Sequence, residues 1–514
     1  MTRLSLQLSS PQLAAIACGL IAVSAGVVAP GATPFGPDEA ALLGKALLAN
    51  RAGEMASIGL TGTFGLPYGP VPTWIYQFLL TVTHDPVTLV SIRAILFLTV
   101  TGLAMLSLAR SLKLTPWIAP MTLALPWVWW HARVPWDNSF LIPISALLLA
   151  SLAGWIRNGS AVALISTIFA GAAMVSTHLM SLPVVGAVGL ALVTSHRRRL
   201  LEHWPTALCA LAIAVGMHAG YLSQLFHDDG SPTSAKATMT PDLTPPQGVV
   251  PSALFPLSGE ILVGATPMLP AAPARALGCL LVLAGAVVVV RELAKKPVDE
   301  STTLNNLAPT DPAWRKVFIA RLDSAKTTRV DVPVICVTAV VLTMAFFAVA
   351  RPGVLTHYLH ALLIPTVVLA AVALRAIGQR PVRGAIIGGH LVAMVAITGL
   401  IALKLSSSTS IGPTPTLALL DQLATDLQSR QDRSAQTTDP FLQRHPSVLR
   451  TLMALKPASR GSSAKPDELL VWLEHGTWRR VVASDVLEAH ARRIDLTGPI
   501  DLPQYDATLS SARD

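Results

Sequence analysis

The chain has 514 residues, of which 52% are hydrophobic and only 13% charged, with a mean hydropathy of +0.56. Soluble proteins carry about 25% charged residues, so this composition excludes a soluble fold, which needs polar groups to cover its surface, and equally a disordered, highly charged chain. The formal net charge of +9 does not by itself imply a nucleic-acid partner, and none is expected, because Lys and Arg in a membrane protein first report topology.

Apolar runs long enough, or nearly so, to cross a bilayer recur through residues 1–404: 11–30, 87–108, 115–131, 139–156, 160–177, 179–195, 205–226, 274–291, 332–350, 355–377 and 384–404. They predict an all-α polytopic membrane domain of about 11 transmembrane helices. A cleaved signal peptide is the alternative for residues 1–30 and leaves later sidedness unchanged. The stretch 160–195 reads as one helix or two. Arg157 and Arg197 to Arg199 bracket it, and two basic, cytoplasmic ends favour an even number of crossings between them.

Three segments fall outside the membrane. The first outer loop, 31–86, ends in an amphipathic stretch, Val71 to Thr83, too short to span and expected in the interface with Trp74 and Tyr76 at headgroup depth. The second, 227–273, is rich in Pro, Asp and Thr. The tail, 405–514, is polar enough to form a small extracytoplasmic C-terminal domain of mixed or helical structure. No internal repeat of the kind common in inverted-repeat transporters is visible.

Charge sets the orientation. Residues 1–404 hold 26 Lys and Arg against 16 Asp and Glu, whereas the tail holds 12 against 13. With the N-terminus inside, 18 basic residues of the membrane domain face the cytoplasm and 7 face outward, leaving Arg93 within a span. This is a positive-inside pattern. The expected location is a bacterial inner or plasma membrane, crossed many times, with the tail outside.

The outer face also collects the residues with chemistry. Asp38 and Glu39 follow the first span in Pro34-Phe35-Gly36-Pro37-Asp38-Glu39. They read either as the cap and dipole partner of a helix or as working carboxylates. Tyr68-Gly69-Pro70 leads into the interfacial stretch. Arg133 and Asp137 share one outer loop, where they can pair with each other or act on a ligand, and His178 marks the 160–195 turn. Arg351 precedes His357 and Tyr358 at the outer end of the tenth span. Ionisable groups so close to a membrane often mark a functional cavity.

In this order and spacing the chain resembles the polytopic GT-C glycosyltransferases, and within them the family 39-like aminoarabinose transferases and protein O-mannosyltransferases. The elements that carry the resemblance are Asp38-Glu39, Tyr68-Gly69-Pro70 with Trp74, Arg93, Arg133 with Asp137, His178, and Arg351 with Tyr358 and Pro365. It covers most of 1–404 and leaves the tail matched in position only. The resemblance implies transfer of a sugar from a polyprenyl-phosphate donor to an acceptor hydroxyl of a lipid, glycan or protein at the outer face, with inversion. Asp38 would be the general base, assisted by Glu39; Arg351, Arg93 and Arg133 would hold the donor phosphate. Tyr68, Asp137, His178, His357 and Tyr358 would line the cavity.

The alternatives are a transporter or flippase for a lipid-linked or anionic substrate, and a different lipid-linked glycan ligase or polymerase. A transporter should place ionisable groups at the bilayer midplane, but here midspan charge is nearly limited to Arg93. There is no G-x-x-x-x-G-K-[ST], no H-E-x-x-H and no D-x-D in the first outer loop. No metal and no cofactor is therefore expected. Cys18, Cys209, Cys279 and Cys336 lie far apart in apolar runs and read as packing residues.

Overall fold

A computed structural model describes residues 9–60, 67–227, 271–294, 331–346, 359–377, 379–406, 410–411, 414–430, 434–437, 440–456, 469–474, 477–482 and 492–495. Helix α1 (Ser10–Val27) buries Ala14, Cys18, Ala22 and Ala25, a stripe at helical spacing that lets it approach α4 (Pro86–Leu112). A Cβ on Gly26 would lie 2.5 Å from Ile95 Cγ1, so only glycine permits this closeness, as in other small-residue contacts between membrane helices. The first span is thus part of the packed bundle. Helix α4 has 27 residues, about 40 Å at 1.5 Å per residue. Asp85 starts it, accepting a hydrogen bond from Thr88 N at 2.7 Å.

Among the described residues, four helices are individually long and apolar enough to cross a membrane: Ser10–Val27, Pro86–Leu112, Asn138–Asn158 and Arg380–Leu400. Shorter apolar helices stand between them, so the protein is a multi-pass, mainly helical membrane protein. The run 115–131 differs from the expected single helix. It forms α5 (Ile118–Leu123) and α6 (Pro126–Arg133), because Pro126 lacks an N–H and drives Leu125 out of the helical region, to φ −56° and ψ 123°.

After α7 (Leu141–Asn158), α8 (Ala161–Thr177) and α9 (Leu182–Thr194) are separate helices. His178, extended at φ −163°, breaks the chain between them. Arg199, beyond α9, donates to the carbonyls of Trp155 (3.2 Å) and Ile156 at the end of α7. The chain has therefore returned to the side it left, and 160–195 is a hairpin. The run 205–226 divides at His218 into α10 (Trp204–Met217) and α11 (Ala219–His227). The later membrane helices are α12 (Ala271–Ala294), α13 (Asp331–Phe346), α14 (His360–Ala376) and α15 (Arg380–Ser406).

One end of the bundle is tied together by polar contacts. His196 meets Asp331 at 3.0 Å, and Arg375 at the end of α14 donates to Leu112 O at the end of α4 at 3.0 Å. The opposite end carries α2 (Pro37–Ala52), α3 (Val71–Val82), the His178 turn and the tail. In the tail, β1 (Ser434–Thr437), β2 (Leu469–Glu474), β3 (Thr477–Val482) and β4 (Arg492–Asp495) form one sheet in the order β3-β2-β1-β4. The tail is fastened to the first outer loop: Leu417 N donates to Thr33 O (2.9 Å), Ala418 N to Gly31 O (3.0 Å) and Arg51 Nη2 to Ala454 O (2.7 Å). Loop and tail therefore share one side of the membrane.

Helix α3 corrects the expected depth of one aromatic. Tyr76 is fully buried, together with Thr73, Gln77 and Leu80, an i, i+3, i+4, i+7 face turned into the protein. Trp74 donates to Ala56 O at 2.8 Å, and the exposed apolar residues of α3 are Phe78 and Val82.

Candidate active site

The outer end gathers a layer of ionisable groups. Pro37 occupies the first turn of α2, with Gly36 as the N-cap, which makes Glu39 the residue that reaches back. Its Oε2 accepts Gly36 N–H at 2.9 Å, the side-chain half of a capping box. Asp38 is thereby relieved of capping. Its carboxylate is part-buried and accepts no hydrogen bond from any described residue. Asp137 is 2% exposed; its Oδ1 accepts Asn138 N–H at 2.7 Å, while Oδ2 is buried without a partner among the described residues.

These three carboxylates feel one another. Burial raises Asp38 above the usual carboxylate range. Burial and the Asp38 charge push Glu39 up to about 7, and burial with the Asp38 and Glu39 charges pushes Asp137 up to about 8. The folded protein thus keeps protons that the unfolded chain releases near pH 4. Carboxylates held above their unfolded values make stability fall as pH rises from about 4 to about 8, with no further loss beyond. Asp137→Asn keeps the capping oxygen and removes the ionisation. Its melting temperature should exceed that of the wild type by several degrees at pH 9, on the order of 1–2 kcal/mol, and match it near pH 3. Equal melting temperatures at both pH values would refute the buried charge.

Arg93 is brought to this layer but is occupied by backbone. It donates to His131 O (3.1 Å), to Ala132 O and to Ser139 Oγ, with its guanidinium carbon 4.7 Å from the Phe140 ring centroid. A cation on the last carbonyls of α6 satisfies a helix C-terminus and complements its dipole. Tyr76 stands beside Arg93 and Glu39, its buried hydroxyl without a hydrogen-bond partner of normal geometry among the described residues.

Arg133 differs from Arg93. It is fully buried, stacks on Trp129 with its guanidinium carbon 4.6 Å from the ring centroid, and donates from Nη2 to Ala29 O. Its Nε and Nη1 have no partner among the described residues. Burial lowers it only to about 10, so it stays cationic at neutral pH. Arg133 and Asp137 form no ion pair with each other. Ala29, its anchor, has the unusual φ of +44°, which an L-residue adopts only when its surroundings enforce it.

Tyr68 and His178 meet directly, Oη to Nε2 at 2.9 Å, with ring centroids 4.6 Å apart. His178 Nδ1 accepts Met180 N–H at 3.1 Å, so the neutral ring carries its hydrogen on Nε2. Burial, aided by His360, lowers His178 to about 3, which keeps it neutral. Gly69 secures this contact: its N–H donates to Ser176 O at 2.7 Å, and a Cβ there would fall 2.2 Å from Ser176 Oγ.

Arg351, His357 and Tyr358 lie outside the described residues, as does most of the loop 227–273. Two features were missed in the sequence. Tyr76 was legible from the Thr73, Tyr76, Gln77, Leu80 spacing. A ring cluster was not, because it joins α6 to α14: the His131 and His360 centroids are 4.3 Å apart and those of Trp127 and His131 4.5 Å, and His360 Nδ1 lies 3.1 Å from Asn138 O. No group of three or more His, Cys, Asp or Glu among the described residues is arranged to hold a metal ion.

No protein-family model matches the chain, and no curated protein sequence does. In structure it is similar to ArnT from Cupriavidus metallidurans bound to undecaprenyl phosphate, at 14% identity and a TM-score of 0.44, covering 86% of this chain and 74% of that one. It is also similar to ArnT from Cupriavidus metallidurans in the apo state, at 15% identity, the same TM-score of 0.44 and the same coverage.

Proposed function

We propose that this chain is an integral membrane glycosyltransferase that moves a sugar from a polyprenyl-phosphate donor to an acceptor hydroxyl at the extracytoplasmic face. The observation that carries the reading is the Asp38 carboxylate. It sits in the first turn of α2, free of the capping bond that Glu39 makes; burial raises its own proton affinity, and its charge raises that of the neighbouring Glu39 and Asp137.

A hydroxyl is a weak nucleophile at neutral pH and needs a positioned base. Asp38 takes the acceptor proton as the acceptor oxygen bonds to the anomeric carbon. The bond from that carbon to the phosphate oxygen breaks, and the electron pair leaves with the polyprenyl phosphate. A single displacement inverts the anomeric centre. The departing phosphate gains charge, which fixed cations stabilise. Arg133, with two donors open among the described residues, suits that role, and Arg351 shares it by sequence position. Arg93 acts in this scheme as a positioning residue for the end of α6. Its attachment to backbone weakens the transporter reading further, because midspan charge is nearly limited to Arg93.

The test is purified protein in vesicles with a polyprenyl-phosphate-linked sugar and an acceptor extract. Acceptor-dependent release of free polyprenyl phosphate is the expected result. Movement of intact donor across the bilayer without that release would favour the transporter reading and overturn this one.

A further inference from the structure

The end of the bundle opposite the carboxylates holds a cavity of about 150 Å³ between the loop after α4, α5, α14 and α15. Lys113, Arg375 and Arg383 contribute its charge, Met121, Leu374 and Ile387 are among its apolar walls, and no acidic residue among the described residues lines it. We propose that this cavity binds the phosphate headgroup of an anionic membrane phospholipid, a site independent of the transferase reading.

Three observations converge on a lipid. The cations come from three separate elements, so the fold brings them together although nothing in the local sequence does. Lys113 holds φ +52° at the C-cap of α4, its N–H bonded to Ala109 O and Arg110 O. Glycine is the usual residue there, so the lysine side chain is kept at a conformational cost. The cavity also adjoins a lipid-facing surface: Val382 and Ile386 on α15 are 43% and 41% exposed, which suits acyl chains beside a bound headgroup and gives a free phosphate nothing. Glu292 offsets part of the charge of Arg375, and Arg375 also caps α4 through Leu112 O. The excess for a ligand rests chiefly on Lys113 and Arg383. Basic pockets between membrane helices on the cytoplasmic side are suited to anionic headgroups.

The test uses the full chain in detergent, titrated with short-chain phosphatidylglycerol, phosphatidylcholine or inorganic phosphate and followed by thermal shift. Wild type should bind phosphatidylglycerol well above phosphatidylcholine. At about 1 kcal/mol, or fivefold, per cation, the double variant Lys113→Gln with Arg383→Gln should lose on the order of 30-fold in affinity. Lys113→Gln alone, which leaves every helix contact of Arg375 in place, should lose about fivefold and serves if the double variant does not fold. Unchanged affinity in the folded variants, or equal binding of phosphatidylcholine, would overturn the site. A full shift from inorganic phosphate alone would reassign it to a soluble anion and overturn the lipid.

Discussion

Asp38→Asn is expected to lower sugar transfer from a polyprenyl-phosphate donor by about 10²- to 10⁴-fold, the usual contribution of a positioned general base. The melting temperature should stay the same or rise. The substitution is isosteric, and α2 keeps its start, because the bond at its first turn belongs to Glu39 and Gly36. Removing one charge from a cluster in which Asp38 raises both Glu39 and Asp137 also relieves repulsion. Glu39→Gln provides the contrast. It keeps an oxygen for the Gly36 N–H and should leave at least about a tenth of the activity, since a neutral acceptor can still cap. Wild-type turnover in Asp38→Asn would remove Asp38 as the base. A loss in Asp38→Asn matched by an equal loss in Glu39→Gln would shift the base to the pair.

The second large effect belongs to Arg133. Arg133→Gln should weaken binding of polyprenyl phosphate by about 100-fold, in the range measured when one side of a buried, hydrogen-bonded charge pair is removed. Arg133→Lys should fall between, by about tenfold, because an ammonium keeps the charge but not the planar fork that grips two phosphate oxygens. Stability without donor should move the other way or hardly at all. A buried guanidinium with two donors unpartnered among the described residues is costly to desolvate, which offsets the loss of the bond to Ala29 O and of the stacking on Trp129. Titration of polyprenyl phosphate against each variant, with melting curves in the absence of lipid, separates the two effects. An unchanged dissociation constant in Arg133→Gln would exclude Arg133 from the phosphate site.

Much of the membrane architecture could be read from apolar runs, because burial in lipid or among helices demands long stretches without charge. The hairpin at 160–195 followed from its basic flanks, and Arg199 on the carbonyls of α7 is its physical expression. Hydropathy sums say nothing of backbone geometry, so the break at Pro126 within 115–131 escaped them although the proline was in view. Residue type alone puts Trp74 and Tyr76 at headgroup depth, whereas the spacing of Thr73, Tyr76, Gln77 and Leu80 turns Tyr76 inward. At Asp38 and Glu39, the sequence left cap and catalysis open. Pro37 at the first helical position assigns the cap, setting the frame so that the third helical residue is Glu39. The partners of Arg93 lie 38 to 46 residues onward, and those of the tail nearly four hundred. Neither distance can be crossed by local pattern.

The bonds from Leu417 and Ala418 to Thr33 and Gly31 have a consequence for the order of assembly. A ribosome makes the chain from its N-terminus, so the turn leading into α2 emerges with its carbonyls unanswered and waits through every later membrane insertion. Its partners reach it only when α15 has been threaded and the following residues delivered to the same side. The helix start at Leu417 and Ala418 that braces the turn before α2 thus arrives only after the membrane helices that precede it. A chain inserted with one crossing too many or too few would strand those residues across the bilayer and leave the turn unbraced. Correct topology and the bracing of the turn before α2 are therefore coupled.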